Sequence, residues 1–211
     1  MAPRARSRHS RSGRWSSLRG WLIGAAAALA SACGHSPPTQ FFTLTPVRPE
    51  HPRSLVAASP VQVRVVHVPE LLDRPQRVVQ SSQQRLDILD QQRWGAPLND
   101  MVRRILTEDL TARLPPGMVL APELPAPPNA RGIVVYIEEF QPEPDGRVVL
   151  DVSWSLVGPG SQKTASAAGD AREMRHFEVS AAEGPDAQVA AMSRLLGQLA
   201  DAMVATLEHA G

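Results

Sequence analysis

The chain has 211 residues, of which 43% are hydrophobic, so it is long enough for one domain with a real core and is not wholly disordered. Its formal charge of +1 is unevenly distributed: residues 1–33 hold six of the 22 basic residues and no acid, which leaves 16 basic and 21 acidic residues from position 34 onward. A nucleic-acid partner requires a basic face. The chain beyond the N-terminus has no basic cluster, so no nucleic-acid partner is expected.

The N-terminal segment has the three parts of a secretory signal. An arginine-rich stretch is followed by an apolar run over residues 21–30 and then by small residues. About twelve apolar residues rise only about 18 Å as a helix, which is too short to cross a hydrocarbon core of roughly 30 Å. We therefore interpret residues 1–32 as a signal peptide, with a basic nucleic-acid arm as the alternative.

Cys33 is the only cysteine and lies directly after this segment. A single cysteine can form neither an internal disulfide nor a zinc-thiolate cluster. The residues Ala30, Ser31 and Ala32 satisfy the rule for ordinary signal peptidase, but followed by Cys33 they also resemble a bacterial lipoprotein signal. In that interpretation the chain is cleaved between Ala32 and Cys33 and the cysteine is acylated. The match departs from the usual pattern at Ala30, with Leu29 one place further out. We favour lipidation of Cys33, and ordinary cleavage remains the alternative.

Residues 33–39 are predicted to form a lipidated tether and residues 40–211 a single exported domain. The tether leads into Phe41 and Phe42, whose segment 41–44 has the aromatic and β-branched content of a short strand. These two residues could be core, partner contacts or membrane-facing. Residues 61–68 alternate apolar and polar and then become fully apolar, which predicts a strand with one end in the interior of a sheet.

Two apolar features follow in the next loop and before the first helix. Leu71 and Leu72 lie in a loop between prolines, where they could fold into the core or be offered to a partner. Residues 77–80 and 85–89 are predicted to form a hairpin. Trp94 precedes a helix, so it could staple the chain to that helix or contact a partner. We expect any partner contact to involve a small set of residues, namely Leu71, Leu72, Arg74, Trp94, Phe41 and Phe42.

The second half of the chain alternates strands and helices. Apolar residues at helical spacing predict amphipathic helices over 97–114 and 186–207. Residues 132–140 and 147–157 are predicted to form a hairpin closed by Asp145-Gly146, and residues 164–179 an edge strand. Along 147–157, Val149, Asp151, Ser153 and Ser155 are expected to face outward. The fold class is therefore α+β: a single two-layer domain with a mostly antiparallel sheet and two amphipathic helices on one face.

No pattern in the sequence marks a catalytic site. The six histidines have no metal-ligand spacing, and neither a phosphate-binding loop nor a Gly-x-Ser-x-Gly elbow occurs. His67 and His176 are expected on the solvated surface. Cys33 precedes a tether rather than a folded site, which argues against a catalytic thiol. We predict that the protein is not an enzyme, binds no metal and has no cofactor beyond covalent lipid on Cys33.

Three stretches, taken in order, resemble the ABC-type transport auxiliary lipoproteins. They are the mature start Cys33-Gly34 with the run 36–44, the run 65–76 ending in Leu-Asp-Arg-Pro-Gln, and the run Arg-Trp-Gly-Ala-Pro-Leu at 93–98. The resemblance covers nearly all of residues 33–207.

This resemblance implies a non-catalytic docking subunit in the periplasm, anchored to the outer membrane by lipid on Cys33. It further implies work with an MCE-domain protein and an inner-membrane permease that move lipid between two membranes. Gly34 after the cysteine favours sorting to the outer membrane. A homo-oligomer is left open. The alternatives are a periplasmic carrier that holds lipid itself and, less favoured, an exported hydrolase.

Overall fold

The computed structural model describes residues 38–49, 59–158 and 172–209. The proposed signal peptide, the cleavage site at Ala32 and the lipidation site at Cys33 lie outside these residues. The chain from Thr39 onward forms one compact unit. Its described elements, in chain order, are β1 (Gln40–Phe42), β2 (Val61–His67), β3 (Gln76–Ser82), β4 (Arg85–Trp94), α1 (Leu98–Thr111), β5 (Arg131–Pro142), β6 (Arg147–Val157), β7 (Arg172–Ser180) and α2 (Pro185–His209).

A four-stranded sheet with the order β2-β5-β6-β7 forms the larger layer. The hairpin predicted over residues 132–140 and 147–157 is confirmed: β5 and β6 pair antiparallel, and Gly146 adopts φ +83°, the left-handed conformation that the turn requires. The edge position predicted for residues 164–179 is also confirmed from residue 172 onward, where the structure describes this segment, since β7 pairs only with β6 within the described residues.

The strand β2 lies at an edge rather than in the sheet interior, so that expectation is wrong. It pairs parallel with β5, and on its other side Val61 forms an isolated bridge to Val119. Its apolar run has a different cause: Val63 and Val66 are buried among the core residues, and Val65 is half-buried. The apolar run in β2 therefore reflects burial of its side chains against the core. It does not indicate that β2 has a neighbouring strand on both edges.

The remaining strands form a second, three-stranded sheet with the order β1-β4-β3, where one sheet was expected. The hairpin predicted over residues 77–80 and 85–89 is confirmed as β3 and β4. The strand β4 continues to Trp94, however, and there pairs parallel with β1. Three of the five strand pairs are antiparallel and two are parallel. The class is α+β, as predicted.

Both helices pack against one another and against the four-stranded sheet, with α1 on β2 and α2 mainly on β6 and β7. Pro97 caps α1 at a position where its missing N–H leaves no bond unmade. Small residues on α2 permit close approach: a Cβ at Gly197 would lie 3.0 Å from Cβ of Val47. Within the described part of the chain, neither helix is long and apolar enough to cross a membrane.

The outer face of the four-stranded sheet is more covered than the sequence suggests. Val149, Ser153 and Ser155 were expected to face solvent, but all three are buried, so that expectation is wrong. The two serines are short, and the strands on either side carry long side chains. The guanidinium of Arg172 on β7 lies 4.2 Å from the ring centroid of Tyr136 on β5, and these residues pair with Ser155 and Ser153 respectively.

Candidate functional site

The residues predicted to contact a partner come from three stretches that lie side by side at one end of the smaller sheet. The N–H of Gly95 donates to the carbonyl of Phe42 at 2.8 Å, and the N–H of Trp94 donates to the carbonyl of Pro75 at 2.7 Å. The end of β1, the end of β4 and the loop before β3 are thus joined by backbone hydrogen bonds. Positions more than 50 residues apart in sequence therefore form one surface.

The buried side chain of Arg77 contacts aromatic residues of both β1 and β4. Its side chain is 1% exposed, and its guanidinium carbon lies 5.0 Å from the ring centroid of Phe42 and 5.8 Å from that of Trp94. It donates to Oε1 of Gln92 at 2.5 Å and to Oε1 of Gln188 on α2 at 3.0 Å. Cation–π contacts of this kind strengthen when water is excluded.

Burial lowers the pKa of Arg77 to about 10, and the nearby carboxylate of Asp186 opposes this shift. The arginine is therefore a desolvated cation whose hydrogen bonds and ring contacts compensate only in part for lost water, since its Nε is buried without a hydrogen-bond partner among the described residues. Sequence reasoning missed it. It stands in a short strand beside two valines, and no local pattern distinguishes a buried arginine from an exposed one.

Trp94 also lines a groove of about 420 Å³, which we call the Arg74 groove. It is lined by Asp73, Arg74, Pro75, Trp94, Ala96 and Pro97. Two of the residues predicted to contact a partner, Arg74 and Trp94, therefore line the same groove. The Nε atom of Arg74 is buried and has no hydrogen-bond partner among the described residues. The groove thus has apolar walls beside a half-buried arginine whose Nε is unsatisfied.

A second groove of about 390 Å³ shares Ala96 with the first and extends along α1. Its other lining residues are Asp100, Met101, Arg103, Arg104, Thr107, Glu108, Pro122 and Glu123. Its charges are largely paired: Arg104 contacts Glu108 at 2.8 Å and Arg103 contacts Asp100 at 3.3 Å. The unsatisfied donor of the Arg74 groove makes that groove the better candidate for binding.

In each of the two apolar pairs, Phe41-Phe42 and Leu71-Leu72, one residue is buried and the other is exposed. Phe42 and Leu72 are buried in the core, whereas Phe41 is 69% and Leu71 is 41% exposed. Trp94 is 7% exposed and belongs to the same core cluster as Leu98. The side chains that a partner can reach are therefore Phe41, Leu71 and Arg74, with Trp94 accessible only through its edge in the groove.

A buried ion network fixes the segment after β1 to both helices. Arg113, 4% exposed, donates to Asp201 at 2.9 Å and to the carbonyls of Val47 and Gly197 at 2.9 and 3.0 Å. Asp109, 0% exposed, accepts a hydrogen bond from the N–H of Val47 at 2.6 Å. Burial raises the pKa of Asp109 to about 6, and that hydrogen bond and the charge of Arg113 oppose the rise.

The described histidines show no arrangement suited to catalysis. His67 and His176 are both exposed, as expected. His67 stacks on Tyr136, and His176 contacts Oδ1 of Asp151 at 2.5 Å, a hydrogen bond that raises the pKa of the histidine. Among the residues that the structure describes, no group of three or more His, Cys, Asp or Glu side chains could hold a metal ion.

Comparison with known proteins identifies one family. Residues 42–204 match the family described as ABC-type transport auxiliary lipoprotein component. Two curated relatives are the intermembrane transport lipoprotein PqiC of Escherichia coli and that of Shigella flexneri. Each is 25% identical to this chain over 141 residues, which is 66% of this chain and 74% of the relative.

Two crystal structures share the fold. An uncharacterised protein superposes with a TM-score of 0.67 at 21% identity and covers 81% of this chain and 99% of its own. A protein from Xanthomonas campestris superposes with a TM-score of 0.61 at 14% identity and covers 79% of this chain and 93% of its own. At these identities the likeness establishes the architecture alone.

Proposed function

Because the chain belongs to the ABC-type transport auxiliary lipoprotein family, we propose that it is a non-catalytic docking subunit of a system that moves lipid between two membranes. In this proposal lipid on Cys33 anchors it to the periplasmic face of the outer membrane. It there engages an MCE-domain protein connected to an inner-membrane permease. The observation that carries the proposal is that two of the three stretches that resemble the family, 65–76 and 93–98, line one groove, while Phe42 of the remaining stretch is hydrogen-bonded to Gly95 beside it.

The anchor follows from the position of Cys33. It is the only cysteine, and it comes directly after a segment with the features of a secretory signal. Stable attachment to a bilayer takes more than one acyl chain, because a single chain binds only reversibly. A cysteine carrying diacylglyceryl and N-acyl groups meets that requirement.

Cys33→Ser is expected to release the protein from the membrane fraction and to abolish incorporation of a palmitate analogue, because it removes the acylated atom. The measurement is membrane fractionation together with metabolic labelling. Ser36→Ala, three residues further along, is the matched control and should leave both readouts unchanged. Continued membrane association of the Cys33→Ser protein would contradict lipid anchoring.

The docking site follows from the chemistry of the Arg74 groove. Trp94, Ala96 and Pro97 provide apolar walls, and Arg74 provides a donor without a partner in the described structure. Such a groove suits an apolar side chain of the partner that lies next to an acceptor, since the half-buried guanidinium of Arg74 can donate to that acceptor. We assign this role to a segment of the MCE-domain protein.

Arg74→Glu is expected to reduce co-purification of the MCE-domain partner by about tenfold or more, because it places a carboxylate where the partner presents an acceptor. The measurement is co-purification from detergent-solubilised membranes, with urea unfolding to verify that the fold is retained. Arg48→Glu makes the same charge change at an exposed position outside the groove and should retain the partner. Equal retention by both variants would exclude the groove as the docking site while leaving the anchor untouched.

A further inference from the structure

Phe41 is the most exposed large hydrophobic residue among those described, at 69%. It lies in β1, where its neighbour Phe42 points into the core. Single exposed hydrophobic residues are common and by themselves indicate nothing. The position of Phe41 relative to the proposed anchor is what distinguishes it from the others.

The tether limits where Phe41 can lie. It lies eight positions after Cys33, so its Cα lies at most roughly 29 Å from that of Cys33 when the chain is fully extended. A domain of the size of residues 39–211 has a radius of gyration of about 16 Å and hence a diameter of about 40 Å. The tether is shorter than the diameter of the domain, so an anchored domain cannot place Phe41 at the point farthest from the bilayer.

The charge around Phe41 fits an anionic lipid surface. Its register partner on β4 is Arg93, whose Nε donates only to the backbone carbonyl of Asp90, at 3.2 Å. Arg93 forms no ion pair with any residue in the described ranges. The sequence contains no acidic residue over 38–48 or over 91–98. A negatively charged headgroup could therefore approach Arg93 without meeting a like charge from either segment.

We propose that Phe41 and Arg93 form a membrane contact, in which the phenyl ring enters the interfacial region of the bilayer and the guanidinium binds anionic headgroups. This inference rests on the proposed anchoring through Cys33. The contact need only be weak, because the tether converts it into an intramolecular event at high effective concentration. Its consequence is a fixed orientation, with β1 and the adjoining end of β4 facing the membrane.

Other exposed surfaces do not carry an equivalent argument. Met174 is 65% exposed on the edge strand β7, but that strand presents Arg172, Glu173 and Arg175, and such charges protect an edge from pairing. Leu124 is 62% exposed in the loop after α1. Neither lies next to the tether in sequence, as Phe41 does. They serve as matched controls.

The test uses the mature, acylated protein carrying Phe41→Cys. Because acylation consumes the thiol of Cys33, the introduced cysteine is the only free thiol and can be labelled with an environment-sensitive fluorophore. The labelled protein is reconstituted into vesicles of phosphatidylethanolamine and phosphatidylglycerol, and quenching by nitroxide-bearing lipid is measured. Met174→Cys and Leu124→Cys are labelled and measured in the same way.

We expect at least about twofold stronger quenching at position 41 than at positions 174 and 124, and a blue-shifted emission at position 41 alone. Equal quenching at the three positions would overturn the inference. A blue-shifted emission at position 41 that grows with protein density, without quenching by nitroxide, would also overturn the inference. It would indicate that a second copy of the protein covers this position. Adding Arg93→Glu should reduce quenching at position 41, and unchanged quenching would overturn the role of Arg93.

The readouts also separate this inference from the proposed function. If the acylated protein fails to float with the vesicles, or if Cys33 itself accepts the label, the lipid anchor is wrong. If the protein floats and position 41 is not quenched, the anchor stands and only the membrane contact of Phe41 is wrong.

Discussion

Arg77→Ala is expected to lower the free energy of unfolding by about 3 kcal/mol. The change leaves a cavity between the rings of Phe42 and Trp94, and it removes the donors that satisfy Gln92 and Gln188. The measurement is urea unfolding followed by tryptophan fluorescence, which Trp94 reports directly. Because Arg77 joins β3 to β1, β4 and α2, the loss should be larger than for any exposed arginine.

Arg77→Met separates packing from charge. Methionine fills much of the same volume without a cation, and removing the cation recovers the desolvation cost that lowers the pKa of Arg77. We expect Arg77→Met to lose only about 1 kcal/mol. Arg85→Ala removes an exposed arginine from the same hairpin and should cost less than about 0.5 kcal/mol. A methionine variant as unstable as the alanine variant would mean that the cation itself is required.

Arg113→Met is expected to lower the free energy of unfolding at pH 7 by about 3–5 kcal/mol, because it leaves Asp109 buried without a counter-charge. The double variant Arg113→Met/Asp109→Asn should recover a large part of that loss. Asparagine keeps an acceptor for the N–H of Val47 while removing the charge. Urea unfolding of the two variants beside the original protein provides the measurement.

The pH dependence of this loss has a definite sign. The pKa of Asp109 is about 6 in the folded protein against an ordinary value of 3.8, so the folded state binds the proton more tightly than the unfolded state. Ionisation of Asp109 therefore lowers the free energy of unfolding as the pH rises from about 4 to about 6. The Arg113→Met loss should be smaller at pH 5 than at pH 7. An equal loss at both values would assign it to packing rather than to charge.

The parts of the fold that follow from local pattern were predictable from the sequence. The spacing of apolar residues located α1 and α2, and the Asp145-Gly146 turn located the hairpin of β5 and β6. The second sheet was not predictable in this way. It depends on parallel pairing of β1 with β4, which joins Phe42 to Trp94 across 52 residues and leaves no periodic signal in either segment.

The candidate site was predictable only in part. The loop at Leu71 and Leu72, the residue Trp94 and the pair Phe41-Phe42 stood out because apolar residues next to prolines and glycines are conspicuous. Their proximity in space rests on backbone hydrogen bonds between distant segments and on the contacts of Arg77 with Phe42 and Trp94, and Arg77 has an unremarkable position in the sequence. Burial of a charged side chain is decided by tertiary contacts, here with Gln188 on α2, which is 111 residues away.

The parallel pairing of β1 with β4 has a mechanical consequence if the domain hangs from Cys33. Any tension transmitted from the membrane then enters the fold at Thr39 and loads β1, which has three residues and pairs only with β4 in the described structure. Detaching β1 would withdraw Phe42 from Arg77, while the hydrogen bonds between β3 and β4 carry none of that load directly. We expect β1 to yield first under force and the rest of the domain to remain folded, so that a transient pull lengthens the tether instead of unfolding the protein.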